Sequence, residues 1–188
     1  MHPTLADYIM DLTQNAVEAG SSVVIVDLIE EVGGNRVRVY IADNGKGMDG
    51  ETLSRVRDPF FTGGGKHEKR KVGLGISFLA QFMAQCNGKW DIASEKGVGT
   101  SLFFEYDGTN LDAPPIGNLA SAVVSCLALP GEFELKFTRA LGGESYTVTR
   151  SEAVEVFGDI NDAEALLTLR EYIRTSENEL KELIAKGS

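Results

Sequence analysis

Cysteine is scarce in this chain: two occur in 188 residues, Cys86 and Cys126, far apart and each in an apolar stretch. That scarcity excludes a disulfide framework and argues against a thiolate metal site, leaving both as small core residues of a reducing compartment. Long hydrophobic runs are missing as well. With no stretch of about 18 apolar residues and no basic leader, the chain is expected in the cytoplasm, without a membrane span. Positive charge is also short, with 18 Lys and Arg against 28 Asp and Glu, a formal net charge of −10. This excludes a general nucleic-acid or membrane-surface binder, because phosphate backbones and anionic lipids attract basic patches. No internal repeat or low-complexity segment is present.

What remains is ordinary globular material, 43% apolar and 24% charged, of a length that fits one large domain or a medium domain with a small appendage. The one local reversal of charge is "GGGKHEKRKVG", which places Lys66, Lys69, Arg70 and Lys71 within six residues.

Residues 3–19 read as an amphipathic helix, with Pro3 suited to its first turn and Gly20 to its stop. Leu5, Ile9, Leu12 and Ala16 mark one face, while Asp7, Asp11 and Asn15 recur every four residues on another. Two β-branched strands follow, "SSVVIVDLIEE" and "NRVRVYIAD", then a short helix around 50–57 and the basic loop. "GLGISFLAQFMAQCNG" predicts a long helix closing at Gly88, and "KWDIASE" and "VGTSLFFEY" predict a strand pair turning at Lys96 and Gly97. This order suggests a layered α+β sandwich with helices on one face of the sheet.

The segment "DGTNLDAPPIGN", residues 107–118, is the best boundary, being rich in turn formers. It divides a first domain, 1–106, from a small C-terminal α+β unit, 119–188. In that unit a helix is expected over 119–128, strands over 132–139 and 145–149, and helices near 151–157 and 162–185. Leu166, Leu169, Ile173, Leu180 and Leu183 of the last helix follow a heptad-like spacing. The run is too short to argue for a coiled coil, and it suits either packing on its own domain or a partner surface.

Four stretches stand together: "DLTQNAVEAG" (11–20), "DNGKGM" (43–48), "DPFFTGGG" (58–65) and "VGLGIS" (72–77). Asp-Asn-Gly favours a hairpin turn, yet no second strand leaves it here. An aspartate ending a buried strand can instead accept a hydrogen bond from an amino group, with glycines allowing close approach. Asp11 and Asn15, one helical turn apart, project to the same place.

The order and spacing of the four, with "GVGTS" in the last strand, resemble the GHKL ATPases: gyrase, chaperone ATPases, histidine kinases and MutL proteins. The resemblance covers about residues 1–106. It implies a two-layer α/β sandwich of the Bergerat (histidine-kinase-like ATPase) type that binds ATP and Mg²⁺. Asp43 would read adenine, Gly45 and Gly47 would shape the pocket wall, Met48 would cover the base, and Thr100 would belong to the same pocket. Asn15 would hold the Mg²⁺ that bridges the phosphates, a hard cation that takes oxygen ligands. Lys71, Gly73, Leu74 and Gly75 would meet the phosphates from a lid and a helix N-terminus. Phe60 and Phe61 match the family's F box.

Asp11 would stand where part of the family places its general base. Gyrase-type and MutL-type members usually carry glutamate there and histidine kinases asparagine, so aspartate matches neither, while "NAVEAG" looks more like MutL. His2 lies in the tail and His67 in the lid, and no hairpin with an H-box precedes the unit, so a self-contained sensor kinase is not expected, while phosphorylation of a separate partner stays open. "APPIGN" and "EVFGDI" resemble short stand-alone ATP-binding proteins of anaerobic bacteria, often encoded beside iron-hydrogenase subunits. Two functions follow as expectations. One is ATP hydrolysis or γ-phosphate transfer to an unidentified protein partner. The other is an ATP-switched binding module or regulatory subunit of a redox complex.

Overall fold

Thr4 decides where the first helix begins. Its hydroxyl accepts the Asp7 amide, and the Asp7 carboxylate accepts the Thr4 amide at 2.8 Å, a reciprocal capping box. Helix α1 therefore covers Leu5–Glu18 and leaves Pro3 outside its first turn. The computed structural model describes residues 3–57 and 74–187.

Strand β1 (Val23–Glu30) and strand β2 (Val37–Asp43) pair antiparallel, followed by helix α2 (Gly50–Arg57) and helix α3 (Leu74–Gln85). Strands β3 (Lys89–Glu95) and β4 (Gly99–Tyr106) form the expected hairpin, and β4 pairs with β2. The later elements are helix α4 (Leu119–Leu127), strands β5 (Glu134–Leu141) and β6 (Glu144–Thr149), and helices α5 (Arg150–Phe157) and α6 (Ala163–Gly187). Helix α3 ends before the expected Gly88: Asn87 takes the left-handed conformation, and the Gly88 amide turns back to the Met83 carbonyl at 2.8 Å.

The C-terminal unit has no sheet of its own. Strand β5 lies parallel to β1, so all six strands form one mixed sheet in the order β3-β4-β2-β1-β5-β6. Without β5, the full length of β1 would be an unpaired edge.

One face of this sheet carries the core. Val24, Val26 and Leu28 of β1, Val37, Val39 and Ile41 of β2, and Leu102 and Phe104 of β4 are buried with Leu5, Ile9 and Leu12 of α1. Val123 and Leu127 of α4 and Leu169 and Ile173 of α6 belong to the same cluster. The heptad-like residues of α6 are thus mostly core, with Leu183 left 54% exposed. Residues of opposite parity, among them Val23, Tyr40 and Phe103, face outward and are exposed. The linker closes the molecule, its Pro115 and Ile116 carbonyls accepting the Leu5 and Ala6 amides at 2.9 and 3.0 Å. Both cysteines are free and buried.

Candidate functional site

Registered pairing places Ser94, Thr100, Asp43 and Val24 in one row across β3, β4, β2 and β1. The next row inward, Ile92, Leu102, Ile41 and Val26, is fully core. Side chains alternate with period two, so the outer row points to the same, helix-covered side. The half-buried Asp43 therefore stands at the mouth of the layer between sheet and helices.

Its carboxylate is held by one oxygen. Oδ1 accepts the Gly45 amide at 2.8 Å and lies 2.9 Å from the hydroxyl of the buried Ser21. That hydroxyl also lies 2.7 Å from the Ala16 carbonyl and can give its single proton to either. Among the described residues, Oδ2 takes no hydrogen bond, leaving an acceptor at the mouth of the layer for a ligand's amino group.

Asp-Asn-Gly does not make a hairpin because each residue is tied elsewhere. Asn44 Oδ1 accepts the Ser22 and Val23 amides, both at 2.9 Å, while Lys46 bonds through its amide to Ala19 and through its carbonyl to Gly97. The loop is strapped between the end of α1 and the β3–β4 turn. Glycine is required twice in it: a Cβ at Gly45 would come within 2.5 Å of the Ser21 hydroxyl, and one at Gly47, with φ of 59°, would overlap the Glu95 carbonyl. Met48, half-buried against the core, is anchored by its amide to Ser94 Oγ at 2.9 Å, and that oxygen also lies 2.9 Å from Thr100 Oγ1.

Helix α1 continues the site away from Asp43. Asn15, one turn from Asp11, brings its side-chain amide beside the Asp11 carboxylate, and its carbonyl oxygen is a hard donor suited to Mg²⁺. Gly75, in the first turn of α3, packs so closely here that a Cβ would overlap the Asp11 carboxylate and come within 3.4 Å of Asn15 Nδ2. The Asp11 carboxyl is held above the usual aspartate range, chiefly by desolvation and then by the negative charge of Glu18, against the lowering bond from Asn15. It is nevertheless solvent-accessible along one side. Among the described residues no group of three or more His, Cys, Asp and Glu could hold a metal. A cation here would need oxygens from the ligand as well as from Asn15.

The structure thus joins Asp43, Gly45, Gly47, Met48 and Thr100 at one corner and Asp11, Asn15 and Gly75 at the next. Leu74 opens α3. Lys71, Gly73, Phe60, Phe61, His67 and the rest of the basic loop lie outside the described residues.

Residues 2–110 match the model of the histidine kinase-, DNA gyrase B- and HSP90-like ATPases. The chain belongs to this family. Within this ATPase family, it is similar to the sensor histidine kinase ZraS of Klebsiella oxytoca, 34% identical over 101 residues, covering 53% of this chain and 21% of that one. It is also similar to the sensor histidine kinase YxdK of Bacillus subtilis, 30% identical over 73 residues, covering 38% and 22%. The chain therefore spans about a fifth of the length of these sensor kinases. Among solved structures it resembles the Aquifex aeolicus MutL ATPase domain complexed with ADP, with a TM-score of 0.46, 18% identity, and 83% and 68% coverage. The catalytic domain of histidine kinase ThkA gives a TM-score of 0.37 at 23% identity, covering 54% and 62%.

For this ATPase-family chain, two site residues escaped the motifs. Ser21 and Ser94 look like the ends of strands, and neither falls in a quoted motif. The available signal was positional: Ser21 follows the Gly20 stop of α1 and lies two residues before the strand that pairs with Asp43's own.

Proposed function

We propose that the chain binds Mg²⁺-ATP at this site and transfers the γ-phosphate to water or to a protein partner in signalling. The observation that carries the reading is the placement of both corners along α1. Ala19 touches the Asp43 corner through the Lys46 amide, while Asn15 and Asp11 lie one and two turns back. At 1.5 Å per residue these positions lie ~6 and ~12 Å from Ala19 along the helix, a span comparable to that between a purine and its phosphates.

Asp43 Oδ2 would accept from the adenine amino group, and Gly45 and Gly47 would let the base approach the backbone. Mg²⁺ would supply charge neutralisation at the phosphates, with Asn15 among its ligands. Asp11, exposed enough to reach water or an incoming hydroxyl and biased toward holding a proton, has the chemistry of a general base. Its shorter arm relative to glutamate favours slow turnover, which also supports a second reading: a module that docks a partner, such as a subunit of a redox complex, only while ATP is bound.

Phosphate release and ATP affinity measured on the same variants test the proposal. Asp11→Asn is expected to abolish turnover and retain ATP affinity within a few-fold, whereas Asn15→Ala should lose Mg²⁺-dependent affinity. Full turnover in Asp11→Asn would remove Asp11 as the base.

A further inference from the structure

A second cavity, of 360 Å³, opens at the opposite end of the sheet, between the end of β1, the first turn of α4, β5 and α6. It lies six residues along β1 from the Asp43 row, about 20 Å at the rise of a strand. It shares no residue with the ATP site.

Its floor is charged and buried. Arg139, 1% exposed, extends from the core face of β5, where its register partner is the fully buried Leu28. Its guanidinium meets Glu30 and the Ala140 carbonyl, and its Nε lies 3.4 Å from Glu177 Oε1 without making a hydrogen bond. Glu177, 8% exposed, also accepts the Tyr146 hydroxyl at 2.9 Å. The Tyr106 hydroxyl, two strands from Glu30 on the same face, is buried with no partner among the described residues. One guanidinium thus faces two carboxylates, buried Glu177 and half-buried Glu30, a formal net charge of −1. A surplus charge with this little solvent around it favours a counter-charge or further donors.

The rim has the opposite sign. Arg174, Asn178 and Lys181 lie on the face of α6 that also carries Glu177, and all three are exposed. Arg174 is shared with Glu171 at 2.6 Å on the same helix. Across the cavity the first turn of α4 adds the amide of Ala120, which has no partner among the described residues; the neighbouring Ser121 amide is taken by the Asn118 cap at 3.0 Å. A helix N-terminus and two cations favour an anion there.

From this reversal of sign between floor and rim we infer a binding site for a small zwitterion of the α-amino acid class. Its ammonium group would face Glu177 and Glu30, and its carboxylate would face Lys181, Arg174 and the Ala120 amide. A simple anion would leave the floor uncompensated, and a simple amine would leave the rim so. The site also adjoins the linker whose carbonyls cap α1, the helix that carries Asp11 and Asn15.

Titration calorimetry and thermal unfolding of the full chain, without nucleotide, test the site separately from ATP binding. The probes are the common amino acids one at a time, with acetate, methylamine and inorganic phosphate as partial ligands. At least one amino acid is expected to bind and raise the melting temperature, with all three partial ligands weaker by about tenfold or more, the loss expected for a charge-assisted contact. Arg174→Ala with Lys181→Ala changes only exposed residues, so the fold should persist while amino-acid affinity falls by about tenfold or more. Three results would each overturn the inference: no amino acid binding to the folded wild type, binding unchanged in the double variant, or phosphate or acetate binding as tightly as the best amino acid.

Discussion

If Asp11 is the base, as proposed, function and stability pull in opposite directions at that residue. Burial and Glu18 raise its pKa above the ordinary 3.8, so the folded protein holds this proton more tightly than the unfolded chain does. The sign follows: Asp11 opposes folding increasingly as pH rises through 3.8 toward its raised value, and the full penalty persists above that. Asp11→Asn should therefore raise the melting temperature at neutral pH and leave it unchanged at strongly acidic pH. Turnover by the wild type should fall on acidification with a midpoint above that of an ordinary aspartate, because the base must be ionised. Thermal unfolding and phosphate release across pH check both; a variant less stable than wild type at neutral pH would show that the Asn15 bond outweighs desolvation.

At the scale of elements, the close approach of α3 to α1 is what Gly75 permits. Gly75→Ala should gain up to ~1 kcal/mol of helix propensity, which offsets the cost of turning the Asp11 carboxylate aside. The melting temperature should then move little, while Mg²⁺-dependent ATP affinity drops by about tenfold as the Asp11–Asn15 pair is displaced. Calorimetry with and without Mg²⁺ reads this directly, and an unchanged Mg²⁺ dependence would separate Gly75 from the site. Most elements were legible in the sequence, because local periodicity and caps write them there: α2 at 50–57, β3 at 89–95 and the Asp43 strand end all fall where expected. The parallel pairing of β1 with β5 was not legible, since a contact between residues more than a hundred positions apart leaves no local pattern. Ser21 stayed hidden for a related reason. Its role comes from the turn between α1 and β1, which brings its hydroxyl to the Asp43 carboxylate at the end of β2, and nothing in "GSSVV" distinguishes that from an ordinary strand start.

For the whole molecule, the family match ends at residue 110, but the core continues beyond it. Val123, Leu127, Leu135, Phe137, Leu169 and Ile173 are each at most 2% exposed and pack in the same cluster as α1 and the first four strands. At ~1.5–3 kcal/mol per buried side chain, losing these six would remove about as much as the ~5–15 kcal/mol that holds a typical domain folded. Residues 1–110 alone should therefore show no cooperative unfolding transition in scanning calorimetry, where the full chain should show one. A cooperative transition and full ATP binding by the shorter chain would mean that the C-terminal elements are an addition and not a support.

On the proposed reading, Asp43, at the mouth of the layer, reads the base of a bound ATP. Titration calorimetry of Mg²⁺-ATP into the wild type and into Asp43→Asn tests it most directly, with circular dichroism to show that both are folded. The amide keeps an oxygen for the Gly45 amide and Ser21 but can turn a donor toward the adenine amino group. The predicted result is binding by the wild type and a loss of about a hundredfold or more in the variant, in line with a buried polar site whose partner is left unpaired. Equal affinity in the two folded proteins would mean that Asp43 does not contact the base.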